Sequence, residues 1–162
     1  TTTLAVARNA DVLTYPTTGW LNAAAGTMFA QWQSFSVASF PTNFAINDGT
    51  TAERYQIGSG AAAGVGARTF ISDGGVDQAL QNVGTSANNT TAKSALAYAV
   101  NDFIAAFNGS VSAGDTSGSL QTVTIAAIGS TGSAGNENYG PIRRVAYYGA
   151  RLANATLQGL TT

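Results

Sequence analysis

The chain has 162 residues, 44% of them hydrophobic and only 9% charged, with 19 glycines and neither cysteine nor histidine. Seven Lys and Arg against eight Asp and Glu leave a formal charge of −1, and the charges are scattered, with Arg143 and Arg144 the one adjacent pair of like sign. This distribution argues against nucleic acid as a partner. The missing His and Cys exclude a Ser-His-Asp or Cys-His nucleophile and the usual nitrogen and sulfur shell of zinc.

A chain of this length reads as one domain over 1–162, which buries roughly 68–70% of its unfolded surface and needs no disulfide to hold a core. Soluble proteins carry about 25% charged residues, so hydroxyls and amides must wet most of this surface. No run of about 18 apolar residues is present, so no membrane insertion is expected. The N-terminus lacks the basic, apolar and cleavage-site order of a signal peptide. The chain opens on Thr1, as a processed product or one domain of a longer chain would.

Short β-branched and aromatic runs alternate with Gly, Asn, Asp and Ser clusters, the spacing of an all-β sandwich. In chain order the predicted strands are Gly26 to Phe35, Asn43 to Asp48, Glu53 to Gly58, Ala67 to Ser72 and Gln121 to Gly129. In the last of these, Val123, Ile125 and Ala127 are expected to share one face. Between Ala92 and Phe107 the residues Leu96, Val100, Phe103 and Phe107 fall at helical spacing, while Asn101–Asp102 is a turn pair that would split the segment into two strands. The pattern alone leaves both readings open. Asn108–Gly109 is a hairpin turn signal, since both residues accept positive φ. The segments Ser59 to Gly66 and Gly114 to Gly118 read as loops. One short helix is predicted over Leu152 to Leu160, with Asn154 as its N-cap and Leu157 and Leu160 facing inward.

Three stretches together resemble the laminin-G-like, concanavalin A-like sandwich domains of phage structural proteins: Arg8 to Trp32 with its Gly-Trp and Gly-Thr steps, Ala95 to Ala113 with paired runs through Asn-Asp and Asn-Gly, and Ile142 to Thr161 with a last strand and a Leu-Gln helix. The chain departs from that pattern at Gln31 and Thr156, where acids are often found. The resemblance implies an antiparallel β-sandwich, a jelly roll of concanavalin A-like type with one short C-terminal helix, and settles Ala92 to Phe107 as strand. It further implies a non-enzymatic module on the outside of a virion, a structural or decorating piece of capsid, tail or fibre. Its partners would be other virion proteins or copies of itself. The alternative is adhesion to a host-surface glycan.

Glycoside hydrolysis needs two carboxyl groups about 5–9.5 Å apart and is the enzyme class this composition leaves open. Asp73 and Asp77 merely flank a Gly-Gly turn, and the other acids stand alone. No cofactor is expected; Asp48, Asp73, Asp115 and Glu137 are candidates for a calcium ion at a loop rim, without forming a recognisable calcium loop. For sugar binding, which pairs an aromatic ring with amides and carboxylates, the loop residues Asn136, Glu137, Asn138 and Tyr139 offer every group, and Tyr15 and Tyr55 could add to a rim. Trp20 and Trp32 are expected in the core. Arg143 and Arg144 open the last strand, where alternation sends them to opposite faces, one of them toward an acid. Gly64–Val65–Gly66 has no Lys or helix start to make a phosphate cradle. Asn88, Asn89, Asn108 and Asn154 match the glycosylation pattern, as chance allows in so Asn- and Thr-rich a chain.

Overall fold

The computed structural model of the chain describes residues 13–33, 40–60, 66–132, 136–138 and 140–162. They form two antiparallel sheets and one helix. The strands are β1 (Leu13–Pro16), β2 (Ala25–Gln33), β3 (Thr42–Asn47), β4 (Arg54–Ser59), β5 (Ala67–Asp73), β6 (Val76–Val83), β7 (Thr91–Ala99), β8 (Asp102–Phe107), β9 (Ser110–Val111), β10 (Ile125–Ile128) and β11 (Ile142–Tyr148), followed by α1 (Asn154–Thr161). Six strands join in the order β1-β10-β3-β4-β5-β6, and five in the order β11-β2-β7-β8-β9. The expected all-β sandwich with a C-terminal helix is therefore the fold.

Alternation sends Met28, Ala30 and Trp32 of β2, Leu96 and Tyr98 of β7, and Phe103, Ala105 and Phe107 of β8 toward the other sheet, where they meet Phe44, Ile46, Tyr55, Ile57 and Ile71. The intervening residues Phe29, Ala95, Ala97, Ile104 and Ala106 lie on the outer face of the five-stranded sheet and are covered by α1 through Leu157. Strands β7 and β8 are thus buried on both faces, which makes their sequence a nearly continuous apolar run. Such a run carries no clean period of two, and this is how the segment came to mimic an amphipathic helix. The hairpin between them turns at Val100–Asn101, one residue earlier than the Asn101–Asp102 split, with Asn101 at φ 56°.

The Asn108–Gly109 turn has φ of 44° and 82°, the two positive values a type I′ turn requires. Gly74 and Gly75, at φ 60° and 78°, do the same between β5 and β6. Strands β1 and β6, at the two edges of the larger sheet, are additions to the predicted set.

Three local expectations are corrected. The helix is capped by Ala153 without a side-chain hydrogen bond, because the Asn154 carboxamide oxygen instead accepts from Arg151 at 2.8 Å. The segment before β10 does not alternate as expected. Val123 and Ala126 join the core, whereas Ala127 is buried on the outer face, and strand pairing begins only at Ile125. Trp32 is a core residue, but Trp20 is half-buried at the margin, edge-on to Tyr147 with centroids 5.0 Å apart.

Candidate functional site: the outer face of the six-stranded sheet

On β4 the inward positions are Tyr55 and Ile57, so Arg54, Gln56 and Gly58 face outward; on β5 the inward Ala67 and Ile71 leave Arg68, Phe70 and Ser72 outward. Register then sets Gln56 beside Phe70, Gly58 beside Arg68, and Arg54 beside Ser72. The two guanidinium groups both lie over Phe70, Arg54 at 4.8 Å and Arg68 at 4.5 Å from the ring centroid, and Arg68 also covers Phe40 at 4.3 Å. The aromatic quadrupole attracts each cation and holds both in place against their mutual repulsion.

The face is walled on one side. Asn47 donates through Nδ2 to the Thr131 carbonyl at 2.6 Å, and the Thr42 amide donates to the Asn136 carbonyl at 2.7 Å. Gly132 lies over Ile125 and Ala127. Under this wall Gln56 is 2% exposed, its Nε2 donating to Thr42 Oγ1 at 2.7 Å while its Oε1 has no partner. The Nε atoms of Arg54 and Arg68 are also buried without a partner. Burial pushes the Arg54 pKa below its ordinary value; Asp77, which takes a 2.8 Å hydrogen bond from Ser72, opposes that shift, and Arg68 adds to it. Two half-buried guanidinium groups held side by side over Phe70 are suited to a carboxylate, which guanidinium can bind bidentately.

The loop residues singled out from the sequence stand beside this face. Glu137 pairs with Thr42 in an isolated parallel bridge, which puts it one contact from Gln56. Asn138 donates from its backbone to the Gly129 carbonyl and from Nδ2 to the Gly140 carbonyl, at 2.8 and 2.7 Å, leaving its buried Oδ1 without a partner. Asn136 is exposed at φ 61°. Tyr139 lies outside the described residues, as do Arg8 and Gly64–Val65. Of the two rim tyrosines, Tyr15 is 66% exposed on the far edge strand and Tyr55 is 1% exposed in the core, stacked on Tyr98 at 4.2 Å. The inward parity of β4 removes Tyr55 from any rim.

The acids considered for calcium are dispersed. Asp48 takes hydrogen bonds from the amide and hydroxyl of Thr50, which hold its carboxyl below the ordinary value; Asp73 takes one from Ser119, and Asp115 takes those of Ser117. Among the described residues no three His, Cys, Asp or Glu gather where they could hold a metal. Asp73 and Asp77 are engaged by different partners across the β5–β6 hairpin. A bulge between Ile142 and Arg144 upsets the alternation expected at the start of β11, so both arginines are exposed: Arg143 donates to Gln33 at 3.1 Å and Arg144 covers Phe29 at 5.5 Å. An ion pair is made by another arginine, Arg151 with Asp102 at 2.8 Å.

Neither Arg54 nor Arg68 was singled out from sequence. The usable signal was the shared parity of Arg54 with Gln56 and of Arg68 with Phe70 on two neighbouring predicted strands.

No family model matches the chain, and no curated protein matches it. Solved structures do. The Ruminococcus gnavus IT-sialidase CBM40 bound to α2,3-sialyllactose is similar at a TM-score of 0.69 and 17% identity, covering 86% of this chain and 84% of that one. The same domain bound to α2,6-sialyllactose gives 0.70 and 16%, with the same coverage. The NanB sialidase from Streptococcus pneumoniae gives 0.70 and 11%, with 88% of this chain matching only 25% of that one. The class defined is a two-sheet antiparallel β-sandwich. At these identities the likeness is one of fold.

Proposed function

We propose that the chain is a non-catalytic carbohydrate-binding module that takes an acidic glycan on the outer face of its six-stranded sheet. The observation that carries the reading is the convergence of Arg54 and Arg68 on Phe70, beside the buried and half-satisfied amide of Gln56. A sugar carboxylate would meet the outward nitrogens of the two guanidinium groups, and sugar hydroxyls would meet the amides of the 136–138 segment. The fold shared with a domain solved with sialyllactose supports the same reading. In the virion setting that the sequence resemblance implies, this face would serve adhesion to host glycans rather than packing against neighbouring subunits.

A glycan array followed by calorimetric titration tests it. The chain is expected to retain sialylated glycans in preference to their neutral counterparts. Arg54→Ala and Arg68→Ala should each weaken binding roughly tenfold to a hundredfold, about 1.4–2.8 kcal/mol, with an unchanged far-ultraviolet dichroism spectrum. Tyr139→Ala measures the contribution of the loop. An array without acidic hits, or arginine variants that bind like the parent, would overturn the proposal.

A further inference from the structure

The flank of the sandwich beside β6 holds a cleft of about 200 Å³ lined by Leu80, Gln81, Asn82, Ser112 and Ala113. It is smaller than the roughly 300–1,000 Å³ that drug-sized ligands occupy, and so has room for a single ring-sized group. None of its lining side chains is charged. Gln81 is 6% exposed and reaches across the open edge between the sheets, its Nε2 donating to the carbonyls of Phe103 and Ala113 at 3.0 and 3.2 Å. Turning the amide over would set an oxygen against two carbonyl oxygens, so its orientation is fixed and Oε1 is left without a partner. Ser112 Oγ accepts from the Ala105 amide at 2.9 Å, which leaves its own O–H free to donate. Leu80, 41% exposed, supplies an apolar surface.

Register ties this cleft to the arginine face. Leu80 pairs with Phe70 and Asn82 with Arg68, so the cleft begins one strand spacing, about 4.8 Å, beyond the proposed acidic-sugar site. We propose that the cleft is a second subsite, for the neutral sugar joined to the acidic one. The chemistry selects that class. A charged group would find no counter-charge, and a wholly apolar one would strand the amides and the hydroxyl. A neutral pyranose offers hydroxyl oxygens to accept from the Ser112 O–H and C–H surface for Leu80. This inference rests on the glycan reading above, and its test separates the two.

Amide resonances of the full chain would be followed on addition of lactose as the neutral probe, free sialic acid as the acidic probe, and sialyllactose as the joined one. Lactose is expected to move the Gln81 side-chain amide and the backbone signals of Leu80, Asn82 and Ala113, while sialic acid moves those of Arg54 and Arg68. Sialyllactose should move both sets and bind roughly tenfold tighter than the free acid. Ala113→Trp fills the cleft from an exposed position while keeping the backbone carbonyl that Gln81 uses. It should abolish the lactose response and reduce sialyllactose to the affinity of the free acid. A parent whose cleft signals ignore lactose, or a Trp variant that binds sialyllactose unchanged, overturns the subsite and leaves the arginine face standing. A lactose response without sialic acid binding overturns the arginine face and, with it, the joined pair.

Discussion

Gly26 occupies a position on β2 where a side chain has no room: a Cβ there would lie 2.6 Å from the hydroxyls of both Tyr98 and Tyr147. Those hydroxyls are 3.1 Å apart and share the Asn22 carbonyl, while Tyr55 stacks on Tyr98 from the opposite sheet. Buried tyrosines need a partner for the phenol, which Tyr98 and Tyr147 find in each other and in Asn22, at the cost of a glycine beneath them. Gly26→Ala should therefore destabilise the chain by about 1–3 kcal/mol through overpacking, measured as a fall in melting temperature. The tyrosines were visible in the sequence, but their clustering was not, since Tyr55, Tyr98 and Tyr147 are brought together only by pairing between distant strands. Asn154 failed as a cap for a related reason: its oxygen had a better donor in Arg151, which sequence spacing does not weigh against the helix N–H groups.

At the level of elements, α1 is short and has no side-chain cap at its start, so packing rather than propensity holds it. Leu157 is fully buried against Phe29, Ala95, Ala97, Ile104 and Ala106, and the helix is tied to the β8–β9 turn by Gln158 donating to the Gly109 carbonyl and by the Gly109 amide donating to Thr161 Oγ1. Leu157→Ala is expected to cost about 2–5 kcal/mol and to raise hydrogen exchange at Gly109 well above that of the parent. Strand existence was legible where β-branched and aromatic runs lie between turn residues, as at Ala67 to Ser72, whereas the edge strands β1, which is short, and β6, poor in such residues, were missed. Strands β7 and β8, sealed by the other sheet on one side and by α1 on the other, lost the period of two.

For the whole molecule, the low charge leaves few carboxylates to govern stability at acid pH, and the tyrosine core governs the alkaline side. Burial pushes the phenols of Tyr98 and Tyr55 well above their ordinary value; for Tyr98 the hydrogen bond with Tyr147 adds to the shift, whereas for Tyr55 the backbone of Gln121 opposes it. The folded chain then keeps protons that the unfolded chain releases above about pH 10, so stability is intact below that value and falls as pH rises through the alkaline range. Denaturant midpoints should decline from about pH 10 upward, and Tyr98→Phe should make that decline shallower. A midpoint that stays level through this range would contradict the assigned burial.

What the sequence determined by itself was the class: no catalytic imidazole or thiol, no run of about 18 apolar residues, and an all-β pattern closed by a short helix. Those follow from composition and local periodicity, which a chain carries without knowing its neighbours. The candidate site was decided by tertiary structure. The loop 136–139 announced itself because its polar and aromatic groups are contiguous, whereas Arg54, Gln56, Arg68 and Phe70 become one surface only when β4 and β5 pair in a particular register. A slip of one residue would turn every one of them to the other face, and that register is fixed by the buried residues between them rather than by the functional residues themselves.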